Sequence, residues 1–222
     1  MAFHVPLRME SKFMKNKTVQ LVLEWADFEE AYPEGNMADF CRYYLARQQE
    51  DKMPVTGAIP DSIEEEMMRT IGRISKLHLF YANLALKGTD LHQIEEFWLL
   101  CTIRQEKNPK KSEVIYANLL ELSSGTDMLN RMKQRGLIRE VADKEDKRSK
   151  RIMLTEKGEE MIDPCFEEIN KSAKMLVNEL SEMEKGLAVH LLKSMEIKFS
   201  SLWTRHRSLP FEEIYRNVME GD

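Results

Sequence analysis

The chain has 222 residues, 42% hydrophobic and 32% charged, with a formal net charge of −5. That is enough apolar material for one large domain or two small ones, and too much charge for a membrane protein: no apolar run approaches the roughly eighteen residues a spanning helix needs. Three cysteines, Cys41, Cys101 and Cys165, are odd in number and share no metal-type spacing, which fits a reducing cytoplasm better than a disulfide framework.

The first seventeen residues lack the apolar centre of a secretory signal. Residues 18–28 place apolar side chains at 19, 22, 23 and 26, one face of a helix. Pro33, Glu34 and Gly35 end it, and Asn36 caps a second helix to about Gln49. Cys41 lies there among aromatic residues beside Arg42. Whether it is an inert thiol or a redox-active one is open at this stage. A polar, Pro- and Gly-bearing linker follows, to Pro60.

From Asp61, the expected cap, a long helix runs to Lys87 with apolar positions 63, 67, 71, 74, 77, 81 and 84. Gly88 stops it. A stripe of over six turns is longer than a small domain can cover by itself. Thr89-Asp90 caps the next helix, Leu91 to about Gln105, where Trp98, Leu99 and Leu100 are the expected core. Asn108-Pro109 stops it, and Lys110 to Leu120 forms another.

Residues 123–158 carry the sharpest pattern. Met128, Leu129 and Met132 recur at helical spacing with Gly125 on the same side, while Ser123, Thr126, Asp127, Asn130, Arg131 and Gln134 face the other way. Gly136 stands where a terminating glycine belongs. Residues 137–141 and 151–155 alternate like two strands, separated by a tip in which eight of the nine residues 143–151 are charged. Thr155 is the expected cap of the following helix. A polar-faced helix beside a basic ribbon can sit in a major groove while the ribbon follows phosphates or the minor groove.

The charge distribution agrees. Residues 104–151 hold thirteen Lys/Arg against eight Asp/Glu, a local +5, so the rest of the chain carries −10. A basic module on an acidic body is a better nucleic-acid signature than the overall balance. Beyond it, residues 156–183 read as a helix that Pro164 should kink, and Gly186 precedes a last long helix with Leu187, Leu191, Met195, Phe199 and Leu202 on one face. Enzyme signatures are absent: there is no Gly-rich phosphate loop, no H-E-x-x-H and no G-x-S-x-G.

The stretch resembles the recognition helix and wing of the multiple-antibiotic-resistance-regulator (MarR) family of winged-helix transcription factors. Thr126, Leu129, Asn130-Arg131-Met132, Arg135-Gly136-Leu137-Ile138, Asp143-x-x-Asp146-x-Arg148 and Ile152-x-Leu154-Thr155-x-x-Gly158 carry the likeness. It implies a mainly α fold, with a winged helix–turn–helix core, a two-stranded β-wing and long helical dimerisation segments. The organisation it suggests is an N-terminal helical extension over 1–60, dimerisation helices over 61–88 and 156–205, a DNA-binding domain over 89–155 and a tail over 206–222.

The same resemblance assigns roles. Ser123, Ser124, Thr126, Asp127, Asn130, Arg131 and Lys133 would meet base edges or phosphates from the helix. Lys144, Lys147, Lys150 and Arg151 would meet phosphates from the wing, Arg148 would enter the minor groove, and Asp146 would orient it. Lys110 and Lys111 are further backbone contacts or plain surface charge. Asp127 departs from the family, which often has a basic residue there, and either reads a cytosine amino group or marks relaxed binding. The implied function is a homodimeric, cytoplasmic regulator of transcription that binds a pseudo-palindromic double-stranded operator, most simply as a repressor. A small aromatic or phenolic effector in a methionine-rich pocket would release it; no other cofactor and no metal is implied. The alternative is a winged helix that serves as a protein-interaction module without specific DNA binding.

Overall fold

The computed structural model describes residues 16–47, 62–143 and 150–221, which fall in two compact units divided after Pro60. The expected cap Asp61 and most of the wing tip, including Lys144, Asp146, Lys147 and Arg148, lie outside these residues.

The first unit is a helical hairpin, α1 (Lys17–Ala31) and α2 (Met37–Arg47). Asn16 Oδ1 accepts from Thr18 N at 2.9 Å, and Asn36 Oδ1 accepts from Ala38 N at 2.8 Å and Asp39 N at 3.2 Å, so an asparagine caps each helix. The expected apolar face of α1 is not the buried one: Val22 and Leu23 are exposed, and Phe28 is buried. Ring area decides this. Trp25 and Phe28 meet Phe40 of α2 at centroid distances of 4.9 and 5.6 Å, and such aromatic pairs outweigh what two aliphatic side chains offer. Cys41 is exposed on α2, and Arg42 is bonded at 2.9 Å to Asp39.

The second unit begins with α3 (Ile63–Ala85), capped by Ser62, whose Oγ accepts from Glu65 N at 3.2 Å. Next come α4 (Ile94–Glu106), α5 (Lys111–Ala117) and α6 (Leu122–Gln134), and then the antiparallel pair β1 (Ile138–Ala142) and β2 (Lys150–Leu154), with Ile138 opposite Leu154 and Ala142 opposite Lys150. The helices α7 (Glu156–Leu176), α8 (Glu182–His206) and α9 (Phe211–Glu220) complete it.

One core joins α3 to α7 with β1 and β2. Leu86, Ile94, Leu99, Leu100, Ile115, Leu129, Met132, Leu137, Ile152 and Ile162 are all buried in it, with α7 packed on α3 and α4. The helix α4 starts three residues later than expected. Thr89 Oγ1 accepts from Leu91 N at 3.1 Å and donates to Leu86 O at 2.8 Å, making a turn, and Asn83 Oδ1 accepts from Ile94 N at 2.7 Å where the helix begins. Leu99 and Leu100 are buried as expected, whereas Trp98 is at the edge, stacked on His78. α5 stops at Ala117, because Leu119 takes a left-handed φ of 54° and Leu120 N donates back to Ile115 O at 3.2 Å. α7 continues through Pro164 and ends at Leu176, short of the expected 183.

The long apolar stripe of α3 stays largely uncovered. Ile63, Met67, Ile74, Leu77 and Leu84 are exposed, and α8 has no buried residue among its twenty-five. No helix among the described residues is long and apolar enough to cross a membrane.

Candidate nucleic-acid interface

The helix α6 is seated by its smallest residue. A Cβ on Gly125 would lie 2.6 Å from Ile115 Cγ2, so only glycine lets α6 lie this close to α5, and Leu129 and Met132 complete the buried face. Ser123, Ser124, Asp127, Asn130, Arg131 and Lys133 are exposed along the opposite face, and Thr126 is half-buried at its border. The face assigned from spacing alone is therefore the face the fold presents.

The end of α6 is closed in the manner its glycine implies. Gly136, at φ 73°, donates to Lys133 O at 3.0 Å, and Leu137 N donates to Met132 O at 3.0 Å, the two bonds of a Schellman cap. Arg135, the last residue before that turn, reaches across to the start of α4. Its Nη2 lies 2.6 Å from Oε1 of the fully buried Glu96, and Nη1 donates to Asp90 O. Glu96 Oε2 accepts from His92 N at 2.8 Å, so both carboxylate oxygens are satisfied. Lys157, in the first turn of α7, donates to Arg135 O at 3.1 Å and pairs with Asp90, whose carboxyl it holds below the ordinary range.

The wing is anchored at its base from two sides. Thr155 N donates to Leu137 O at 3.1 Å, its Oγ1 donates to Gly136 O at 2.6 Å, and the same oxygen caps α7 by accepting from Gly158 N at 3.1 Å. A Cβ on Gly158 would fall 2.0 Å from Leu137 O, which is why the Thr-x-x-Gly spacing has no room for another residue. On the other side, Ile152 N donates to Pro109 O at 2.9 Å and Lys110 bridges to Arg151, so residues 109–110 add a third edge to the ribbon. Sequence reading took Asn108-Pro109 only as a helix stop. Nothing in a two-residue extended segment has the length to announce a strand.

The charges on this surface are more ordered than a basic patch requires. Arg151 Nε pairs with the buried carboxylate of Asp143 at 2.7 Å and Nη1 donates to Asn108 O at 3.0 Å, so Arg151 braces the wing base. Glu140 on β1 gathers three lysines from three elements: Lys111 at 3.4 Å, Lys133 at 2.9 Å and Lys150 at 3.0 Å. The Lys133 hydrogen bond and the other two ammonium groups pull its carboxyl down to about 2. Lys111 also donates to Asn130 Oδ1 at 3.2 Å. The Arg131 side chain is exposed, and no described side chain engages it.

A winged helix DNA-binding domain matches residues 95–158, from the first turn of α4 to Gly158. The HTH-type transcriptional regulator PecS of Dickeya dadantii is 29% identical over 142 residues, which cover 62% of this chain and 85% of PecS. A crystal structure of a MarR mutant from Escherichia coli, complexed with operator DNA, superposes with a TM-score of 0.55 at 22% identity over 61% of this chain and 99% of that one. The chain contains a winged-helix DNA-binding domain and shares its fold with MarR. A further member of this fold is BpsR of Bordetella bronchiseptica, whose structure concerns regulation of DNA binding by 6-hydroxynicotinic acid (TM-score 0.55, 19% identity, 59% of this chain and 98% of that one).

Within this winged-helix domain, α5 and α6 form the helix–turn–helix and β1–β2 the wing. Of the residues singled out from sequence, Ser123, Ser124, Thr126, Asp127, Asn130, Arg131 and Lys133 lie on the exposed half of α6; Lys150 on β2 shares Glu140 with Lys133, whereas Arg151 turns to Asp143 and Asn108 at the wing base. Sequence reading missed Glu140 and the buried Glu96–Arg135 pair. An acid at an alternating strand position looks like any solvated charge, and the partner of Arg135 is 39 residues away.

Proposed function

We propose that this protein is a MarR-family transcriptional regulator that binds double-stranded DNA by sequence, through α6 in the major groove and the wing alongside. The observation that carries the reading is the polar face of α6, held rigidly by Gly125 and the Arg135–Glu96 pair while Asn130 and Arg131 remain exposed. Such a face supplies base-edge donors on a fixed support, and the wing and α5 lysines supply phosphate contacts. The role is binding, not turnover.

The uncovered apolar faces of α3 and α8 support a homodimer, since contiguous apolar surface of that extent marks an interface in a water-soluble chain. Two-fold symmetry would present two α6 helices to half-sites about one DNA turn apart, so the operator would be a pseudo-palindrome and its occupancy would repress. A cavity of about 480 Å³ between α3, Leu119 and α8 is lined by Met68, Met195, Phe199 and Trp203. An aromatic ligand suits that apolar lining, and its binding would release DNA by favouring a different half-site separation.

The decisive test is fluorescence anisotropy with duplex from the protein's own upstream region against random duplex, with Arg131→Ala alongside. A preference of at least ~10³, lost in the variant, is expected of an operator reader. Equal and weak binding to both duplexes would favour the protein-interaction module, for which exposed Asp127 on the reading face is the specific support.

A further inference from the structure

The lysine cluster around Glu140 bears on selectivity, and the argument rests on the DNA-binding reading above. Lys111 begins α5, Lys133 lies in the last turn of α6 and Lys150 begins β2, so the three ammonium groups come from the three elements that face the groove and backbone. All three lie within 3.4 Å of one carboxylate that is itself only 10% exposed. A solvated surface acid does not collect three partners from separate elements; an exposed ion pair holds long side chains too weakly for that. Glu140 can do so because β1 places it, largely shielded, at their junction.

We propose that Glu140 is a selectivity residue that restrains Lys111, Lys133 and Lys150 from gripping phosphates at arbitrary sequence. A lysine that leaves Glu140 for a phosphate exchanges one anion for another, and the phosphate must then approach the uncovered carboxylate. The exchange is unfavourable on a duplex that offers nothing else. It is compensated where α6 is seated on its own base pairs and the backbone is held against the cluster. Glu140 therefore lowers sequence-independent affinity more than specific affinity. The bond from Lys111 to Asn130 Oδ1 couples the restraint to reading: it leaves Asn130 with N–H donors to offer a base until Lys111 moves.

The experiment is Glu140→Gln, a substitution of equal size that removes the charge, in anisotropy titrations with random and upstream duplex over a salt series. Random-duplex affinity should rise at least about tenfold, with a salt slope steeper by roughly one to two, since each freed lysine displaces about one more counterion. Upstream-duplex affinity should rise less, narrowing the preference. Lys133→Gln should weaken random-duplex binding more in the Glu140→Gln background than in the native one, where that lysine is already engaged. Random-duplex affinity and salt slope unchanged in a folded Glu140→Gln protein would overturn the proposal, as would absence of random-duplex binding in both proteins at the lowest salt. Should Glu140→Gln not fold, Glu140→Thr, a neutral residue that favours a strand, takes its place with the same expected rise in random-duplex affinity and the same overturning result. A native protein without preference for upstream duplex would sink the operator reading while leaving the random-duplex comparison intact.

Discussion

Arg135 and Glu96 form the tie that fixes α6 to the rest of the domain. Their charged atoms are 2.6 Å apart, with Glu96 fully buried and Arg135 largely so. Glu96 lies in the first turn of α4, where a carboxylate also suits the helix dipole, and Arg135 ends α6. The pair converts a surface helix into one with a defined angle to the core.

Removing one partner should therefore cost far more than removing an exposed ion pair. Arg135→Ala strands a buried carboxylate and should destabilise by about 3 kcal/mol, in the range seen when a buried pair is broken. The double variant Glu96→Leu, Arg135→Met leaves no stranded charge and should regain much of that loss. Urea unfolding of the two single variants and the double variant measures the coupling. Additive losses would show that the two side chains act independently.

Gly125 and Gly158 make a second, graded prediction. At Gly125 an added methyl meets Ile115 side-chain carbons at 2.6 and 2.8 Å, which can give way by shifting α6. Gly125→Ala should cost about 1–3 kcal/mol, the usual range for overpacking, and weaken DNA binding beyond that by moving the reading face. At Gly158 the methyl meets the backbone oxygen of Leu137 at 2.0 Å, and that oxygen also accepts from Thr155 N. Gly158→Ala should be the more damaging substitution. Thermal unfolding of both proteins checks the order, and the reverse order would refute the account.

The contrast between these glycines shows what sequence can and cannot disclose. The stop at Gly136, the cap at Thr155 and the exposed polar face of α6 follow from local rules, because each depends on residues within about one helical turn. The Thr-x-x-Gly spacing was visible as a motif, yet its cause, a carbonyl 21 positions upstream at Leu137, is tertiary. The ordering of the lysines by Glu140, the edge pairing of Pro109 with Ile152 and the aromatic packing of α1 depend on which elements meet. Periodicity along one chain carries no such information, and it mistook Val22 and Leu23 for the buried side of α1. The stripe on α3 was correctly read as too long for one domain, and it remains exposed.

The pH dependence of stability should carry the signature of Glu140. Its carboxyl titrates at about 2 in the folded protein, against 4.5 for an unperturbed glutamate, chiefly through the Lys133 hydrogen bond. A depressed folded value means that the contribution is complete above the unfolded value. It is lost as pH falls from about 4.5 towards 2, where the folded state must also take up the proton. Midpoints of thermal unfolding between pH 6 and pH 2 should fall less steeply in Glu140→Gln than in the native protein within that window, and the two should run parallel above pH 5. Parallel curves throughout would mean that the lysines do not hold the carboxylate in solution.

The exposed apolar residues of α8 give the last prediction. Leu191, Leu192, Ile197 and Phe199 are all exposed on a helix that buries no residue in the chain alone. Each of the four is about half exposed, so leaving them in water forgoes roughly 1 kcal/mol each, a penalty that a second copy would relieve. The native protein should sediment as a dimer at micromolar concentration. Ile197→Glu would place a charge in the proposed interface and should yield monomer, with the winged-helix unfolding transition retained because Ile197 contributes nothing to the core. DNA affinity should fall by orders of magnitude in that variant, since one half-site reader then binds without its partner. A native protein that sediments as a monomer, or an Ile197→Glu dimer with undiminished operator affinity, would remove α8 from the interface.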